Sequence, residues 1–181
     1  QPDKPAPRVE RIVFEGRDAW IKRPEPERST FFSGLHCVLS GALPRVLRPT
    51  NALDGPAALR AEAARLRDFH AAGLPVPEVL EDTGQHIVLS DCGATLRTHL
   101  RATSNAAERL RLMHAAQDVL VRVLLSGRAH GRPFVKDMTL GPDGGHIHLL
   151  DLEEDPCAHM DLLDAQARDV WLFLMSCAEF H

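Results

Sequence analysis

The chain changes character at Ser90-Asp91-Cys92-Gly93, and that change limits its fold more than any other feature. Before it lie short β-like runs around one helix. After it the pattern is mainly helical. Arg8 to Arg23 holds two such runs about the turn Glu15-Gly16-Arg17-Asp18, a hairpin signal that Pro24 and Pro26 end. Asp54-Gly55-Pro56 opens a helix expected over 57–72, closed by Gly73, with Leu59, Ala63, Leu66 and Phe69 or His70 on its apolar face. The extended connector Leu74-Pro75-Val76-Pro77 leads to a second hairpin, Glu78 to Asp82 and His86 to Ser90, around Thr83-Gly84. Helices are then expected over 96–102, 106–128 and 162–180, interrupted by the loop 130–137 and two short strands, 138–140 and 146–150. In the long helix Leu110, Met113, Val119, Leu120, Val123 and Leu124 are the apolar candidates. Strand, strand, helix, strand, strand and then helices is an α+β order: a small antiparallel β lobe over 1–90 and a mostly helical lobe over 91–181.

At 181 residues and 44% apolar composition the chain can fill a core, which excludes disordered and collagenous classes. A net charge of −4 argues against nucleic acid as a partner. The charge is unevenly spread. Residues 1–50 carry nine basic and six acidic residues, whereas 137–181 carry ten acidic residues and one basic one, Arg168. Such a stretch is a solvated acidic face or a seat for cations. Cys37, Cys92, Cys157 and Cys177 are scattered without metal spacing and read as reduced thiols of a cytosolic protein. No signal peptide is visible, and the proline-rich start reads as an extended lead-in. The apolar stretch Phe31 to Leu43 is too short to span a bilayer and reads as a packed helix, or as an interfacial one helped by Arg45 and Arg48.

Four features bear on chemistry: Lys22 on a strand, Glu62 on a helix, the loop from His130 to Asp137, and Asp151 after the apolar run His146 to Leu150. Separately, Lys22 reads as an edge-strand residue facing solvent and Glu62 as a surface partner of Arg65. Asp151 is different, because a carboxylate ending an apolar strand needs a partner or a cation. Glu153, Glu154 and Asp155 deepen the negative potential there. The hairpin between Asp137 and Asp151 folds these two carboxylates toward one site, and oxygen ligands of this kind suit Mg²⁺. A lysine for phosphates, an acid to aim it and carboxylates for a metal make up the kit of an ATP-phosphate site.

In this order Ile21-Lys22, Glu62, Val88-Leu89-Ser90-Asp91, His130-Gly131 and Leu150-Asp151-Leu152-Glu153 resemble the protein-kinase-like superfamily, most closely its small bacterial RIO-like and lipopolysaccharide-core sugar kinases. The resemblance covers about residues 9–180. It implies a minimal two-lobed protein-kinase-like fold that uses ATP and Mg²⁺. Lys22 would contact the α- and β-phosphates with Glu62 as its ion-pair partner, and Leu89, Ser90 and Asp91 would form the hinge that receives adenine. Asp151 would bind Mg²⁺ together with Asp137 and Glu153, and Asp169 would brace the catalytic loop.

That loop departs from the family. His-Arg-Asp or His-Gly-Asp, four residues and Asn become His130-Gly131-Arg132, four residues and Asp137. Arg132 stands at the general-base position and cannot accept a proton at neutral pH. Phosphoryl transfer depends mostly on positioning and electrostatics, so His130, Arg132 and Asp137 remain the catalytic candidates, with Arg132 holding a phosphate or an anionic substrate and Asp137 serving metal, base or both. Gly16 is the only glycine before Gly34. Phosphates are therefore expected to be covered less tightly than by a glycine-rich loop, or by a segment preceding residue 1. The expected function is phosphorylation of a hydroxyl acceptor, such as a lipid-linked or lipopolysaccharide-core sugar, in the cytoplasm or at the inner face of the cytoplasmic membrane. The alternatives are a kinase-shaped nucleotide-binding or scaffold protein without catalysis and a plain helical interaction domain.

Overall fold

The computed structural model describes residues 6–25 and 55–180. The apolar stretch 31–43 and Cys37 lie outside them. Strands β1 (Val9–Phe14) and β2 (Arg17–Lys22) form the first hairpin. Its turn is only Glu15-Gly16, both at positive φ (49° and 77°), so strand β2 begins two residues earlier than the expected four-residue turn allows. Helix α1 (Gly55–Ala71) follows, then β3 (Val79–Asp82) and β4 (Ile87–Ser90). The sheet order is β1-β2-β4-β3, all antiparallel, which makes β2 an inner strand. Lys22, opposite Val9 and Ile87, is consequently buried instead of lying at an edge.

The remainder is mainly helical. A two-residue strand β5 (Ala94–Thr95), too short to show a period, precedes α2 (Leu96–Ala102) and α3 (Ala106–Leu125). Thr95 and Asn105 cap these helices through their side chains, each accepting from a backbone N–H of the first turn. Helix α3 stops three residues short of the expected 128, because Ser126 caps it and Gly127 turns at φ 72°. Its inner face is Leu112, Ala116, Val119, Leu120 and Val123, while Leu110 points outward. Strands β6 (Met138–Leu140) and β7 (Ile147–Leu149) join β5 in a second sheet, ordered β5-β6-β7. Helix α4 (Leu162–Cys177) comes last and tightens into a 3₁₀ turn at Ala178–Phe180. The fold is thus the α+β arrangement expected: a small antiparallel sheet with one main helix, then a mostly helical part.

One apolar core joins the two parts. Leu59, Leu66 and Phe69 of α1 belong to the same cluster as Leu100, Leu120, Met138, Leu149, Leu152 and Phe173. The Leu149 N–H also donates to the Pro75 carbonyl at 2.8 Å, tying β7 to the connector after α1. The side chains that α1 and β2 send inward therefore face the loops on either side of the β6–β7 hairpin.

Candidate nucleotide and metal site

Lys22 stands at the centre of an acidic cluster. Its Nζ lies 2.7 Å from Glu62 Oε1, 3.0 Å from Asp151 Oδ1 and 2.7 Å from Glu153 Oε1. Burial pulls the ammonium pKa down, but these three carboxylates outweigh it and hold the group charged above its usual range. Among the described residues, oxygens of Glu62, Asp151 and Glu153 lie within 4.8 Å of one another. The convergent set therefore contains Glu62, which the sequence reading gave only an ion-pair role, and it does not contain Asp137.

Asp151 has φ 63°, an uncommon conformation for a non-glycine residue, and it holds two cations. Oδ1 receives Lys22, and Oδ2 receives the Arg132 guanidinium at 2.9 Å. Burial works upward on its pKa, yet Lys22 and Arg132 together keep it below the ordinary carboxylate range. Arg132 also approaches Glu154 at 3.6 Å. Asp137 is pushed up to about 6 by burial, with the Asp151 charge adding to the shift, and its Oδ2 is buried without a hydrogen-bond partner.

Several expected roles change on this geometry. His130 is fully buried, and burial together with the Arg65 charge drives its pKa down to about 3. It is a neutral positioning residue, its Nδ1 accepting from the Arg132 N–H at 3.3 Å, and cannot act as an acid or base on a substrate. At the expected hinge, the Ser90 N–H is given to the Glu78 carbonyl at 3.0 Å, which withdraws it from an adenine. The Asp91 carboxylate is held by Trp20 Nε1 at 3.2 Å and the Gly93 N–H at 3.0 Å, and Leu89 is half-buried in β4.

Arg168 and Ser176 bond to the 130–137 loop at Gly131 and Val135, and two further braces hold its start. Asp169 on α4 accepts from the His130 N–H and, at 2.8 Å, from the Gly131 N–H. Gly131 is obligatory there: at φ 107° an added Cβ would meet the Glu154 carbonyl at 2.5 Å. The second brace is Arg65, one helical turn after Glu62. It donates to the carbonyls of Ala129 at 2.7 Å, His130 at 3.2 Å, Leu152 at 2.9 Å and Glu154. Sequence reasoning assigned Arg65 to the surface as a partner of Glu62. The available signal was the i, i+3 spacing, which places both side chains on one face of α1.

The titrations set a pH dependence. Burial raises Glu62 to about 7 against the pull of Lys22, and Asp137 and Asp169 to about 6. The folded chain therefore binds protons at three carboxyls in the window between their unfolded values near 4 and these raised ones. His130 opposes them, because below about 6.5 the unfolded ring takes up a proton that the buried ring refuses. Three groups against one give a folded state stabilised by roughly 3 kcal/mol when the pH drops from 7 to 5. Urea midpoints at the two pH values measure this, and a midpoint that falls toward pH 5 contradicts it.

No protein-family model matches the chain, and neither does any curated protein. Among solved structures, that of vaccinia related kinase 3 is similar, with 13% identity and a TM-score of 0.43. The match covers 81% of this chain and 43% of that one, so the chain spans less than half the length of that kinase. At this level of likeness no residue role passes from one to the other.

Proposed function

We propose that the chain is an ATP- and Mg²⁺-dependent phosphotransferase acting on a hydroxyl. The supporting observation is the buried Lys22 aimed by Glu62 and in contact with Asp151, the arrangement a phosphate-binding lysine requires. The two lobes would divide near residue 90, with the nucleotide between them, and Asp91 would offer backbone groups to the adenine, since Leu89 is paired with Trp20 and Val79 inside the sheet. The unpartnered Asp137 Oδ2 beside a second carboxylate fits a magnesium ion, which Asp151 and Asp137 would hold, with Glu153 at its margin. When bound, that ion supplies electrostatic stabilisation of charge on the transferring phosphoryl group.

The chain's own groups do the rest. Glu62 fixes the Lys22 ammonium so that it meets the phosphates already oriented, at little reorganisation cost. Asp137, with a pKa near 6, is the residue suited to take the acceptor proton, being mostly ionised at pH 7 yet close enough to it to act as a base. Arg132 remains cationic and supplies charge to phosphate or to an anionic acceptor. The acceptor class, a lipid-linked or lipopolysaccharide-core sugar reached from the cytoplasm, follows from the family resemblance alone. Among the described residues no helix is long and apolar enough to cross a membrane.

One observation favours a second reading, a nucleotide-binding scaffold: Arg132 already occupies Asp151 at 2.9 Å. A thermal-shift titration separates the two. Nucleotide at about 100 times its Kd stabilises by about 2.7 kcal/mol, roughly 5–10 °C for a domain of this size. A shift that requires Mg²⁺ supports the phosphotransferase, whereas an equal shift with and without the metal supports the scaffold. Absence of any shift overturns the phosphotransferase and leaves a scaffold that binds no nucleotide.

A further inference from the structure

Arg8, immediately before β1, reaches the acidic cluster from the β lobe, as Arg132 does from the 130–137 loop. Its guanidinium donates through Nη1 to Glu25 at 2.9 Å and through Nη2 to Glu153. The backbone around it is fixed beside Lys22. The Arg8 carbonyl accepts from the Arg23 N–H at 2.7 Å, the Pro7 carbonyl accepts from the Arg23 guanidinium at 2.8 Å, and the next residue, Val9, stands opposite Lys22 in the sheet. Arg8, Glu153, Lys22, Asp151 and Arg132 therefore form a row in which each member contacts the next and the charges alternate. Lys22, at the middle, has only 9% of its side chain exposed, whereas the guanidiniums at the two ends are open, Arg8 by 36% and Arg132 by 34%.

We infer that Arg8 is a further phosphate-binding residue, which holds the triphosphate of a nucleotide from the β lobe while Lys22 and Arg132 hold it from the rest of the row. The inference rests on the nucleotide reading above. Gly16, the only glycine of the first hairpin, is used in its turn, so what this lobe offers to phosphates is a side-chain cation. The guanidinium is only partly used. Its Nε is buried without a hydrogen-bond partner, while the adjacent Nη2 meets a single oxygen of Glu153. A phosphate presents two oxygens to such an edge and binds it bidentately, giving the orphaned N–H its acceptor. An arginine that merely stapled Glu25 to Glu153 would gain nothing from a buried N–H left unpaired, which costs stability. Glu153 can give up Arg8 without losing its only cation, because the same oxygen lies 2.7 Å from Lys22 Nζ. Glu25 on Nη1 keeps the guanidinium in place during the exchange, and one anion replaces another at Arg8.

Isothermal titration calorimetry on the whole chain with Mg²⁺ present tests this, with ATP, inorganic tripolyphosphate and adenosine as probes. Arg8→Gln is expected to weaken ATP and tripolyphosphate by roughly 10–100-fold, the loss that accompanies hydrogen bonds to charged groups, and to leave adenosine unchanged. Arg8→Lys keeps a cation beside Glu25 and Glu153 but has no bidentate edge. Its ATP affinity is expected to fall between those of wild type and Arg8→Gln, with the circular dichroism spectrum of the wild type. Equal weakening of ATP and adenosine makes Arg8 a structural staple and overturns the proposal, as does an Arg8→Gln chain that binds ATP as tightly as wild type. A wild-type chain that binds neither ATP nor tripolyphosphate overturns the nucleotide reading itself, a result distinct from phosphate binding that is indifferent to Arg8.

Discussion

Lys22→Met is expected to lower ATP turnover by roughly 10²–10³-fold, the loss typical when one preorganised electrostatic donor is removed. The residue concerned is the cation that three carboxylates hold in place, 2.7 Å from Glu62 and Glu153 and 3.0 Å from Asp151. Its removal also leaves Glu62, 1% exposed, without its partner, and breaking a buried pair from one side costs about 3–5 kcal/mol. Lost turnover would then be confounded with lost folding. The double variant Lys22→Met/Glu62→Gln separates the two effects, since removing both members of a buried pair is far less costly than removing one. The expected outcome is a double variant that melts well above the single one yet turns over no faster. Steady-state turnover with thermal denaturation on the same samples checks this. A folded double variant retaining turnover within tenfold of wild type would remove Lys22 from the phosphate site.

The balance between local and long-range information explains what could be read from the chain. Both hairpins were legible because Gly16 and Thr83-Gly84 interrupt β-like runs, and α1 because Leu59, Ala63 and Leu66 keep a helical period. The burial of Lys22 was not legible. It depends on β4 pairing with β2 across more than sixty residues of chain, and no local pattern reports a pairing of that span. The same holds for Arg65, whose four carbonyl partners come from two loops distant in sequence. In α3 Val119, Leu120 and Val123 are buried and Met113 and Leu124 pack against the core as expected, and only the packing shows that Leu112, not Leu110, faces inward. The order of the candidate residues was therefore visible from the sequence, while the contact of Arg132 with Asp151 and the burial of His130 were consequences of tertiary structure alone.

Asp169→Ala is expected to cost about 3–5 kcal/mol, a large part of the 5–15 kcal/mol that ordinarily separates folded from unfolded chains. The Asp169 carboxylate is fully buried and accepts two backbone N–H groups, those of His130 and Gly131. Alanine leaves both donors without a partner inside the protein, at roughly 1–3 kcal/mol each. Relaxation cannot recover much of this. Gly131 is pressed against the Glu154 carbonyl at a φ that other residues adopt only with strain, and Arg168 and Arg65 hold the surrounding carbonyls. Two like cations also lose the anion between them, since both Arg168 and Arg65 act on the Asp169 carboxylate. Asp169→Asn keeps one acceptor oxygen but turns an amide N–H₂ toward the other backbone donor, so its cost should lie between wild type and alanine. Urea unfolding of the three proteins gives the order. Amide exchange at His130 and Gly131 localises the effect, because loss of the brace should raise exchange at these two amides before it does so in the core of α3. An alanine variant as stable as wild type would mean that Arg65, Arg168 and Ser176 hold the 130–137 loop without Asp169.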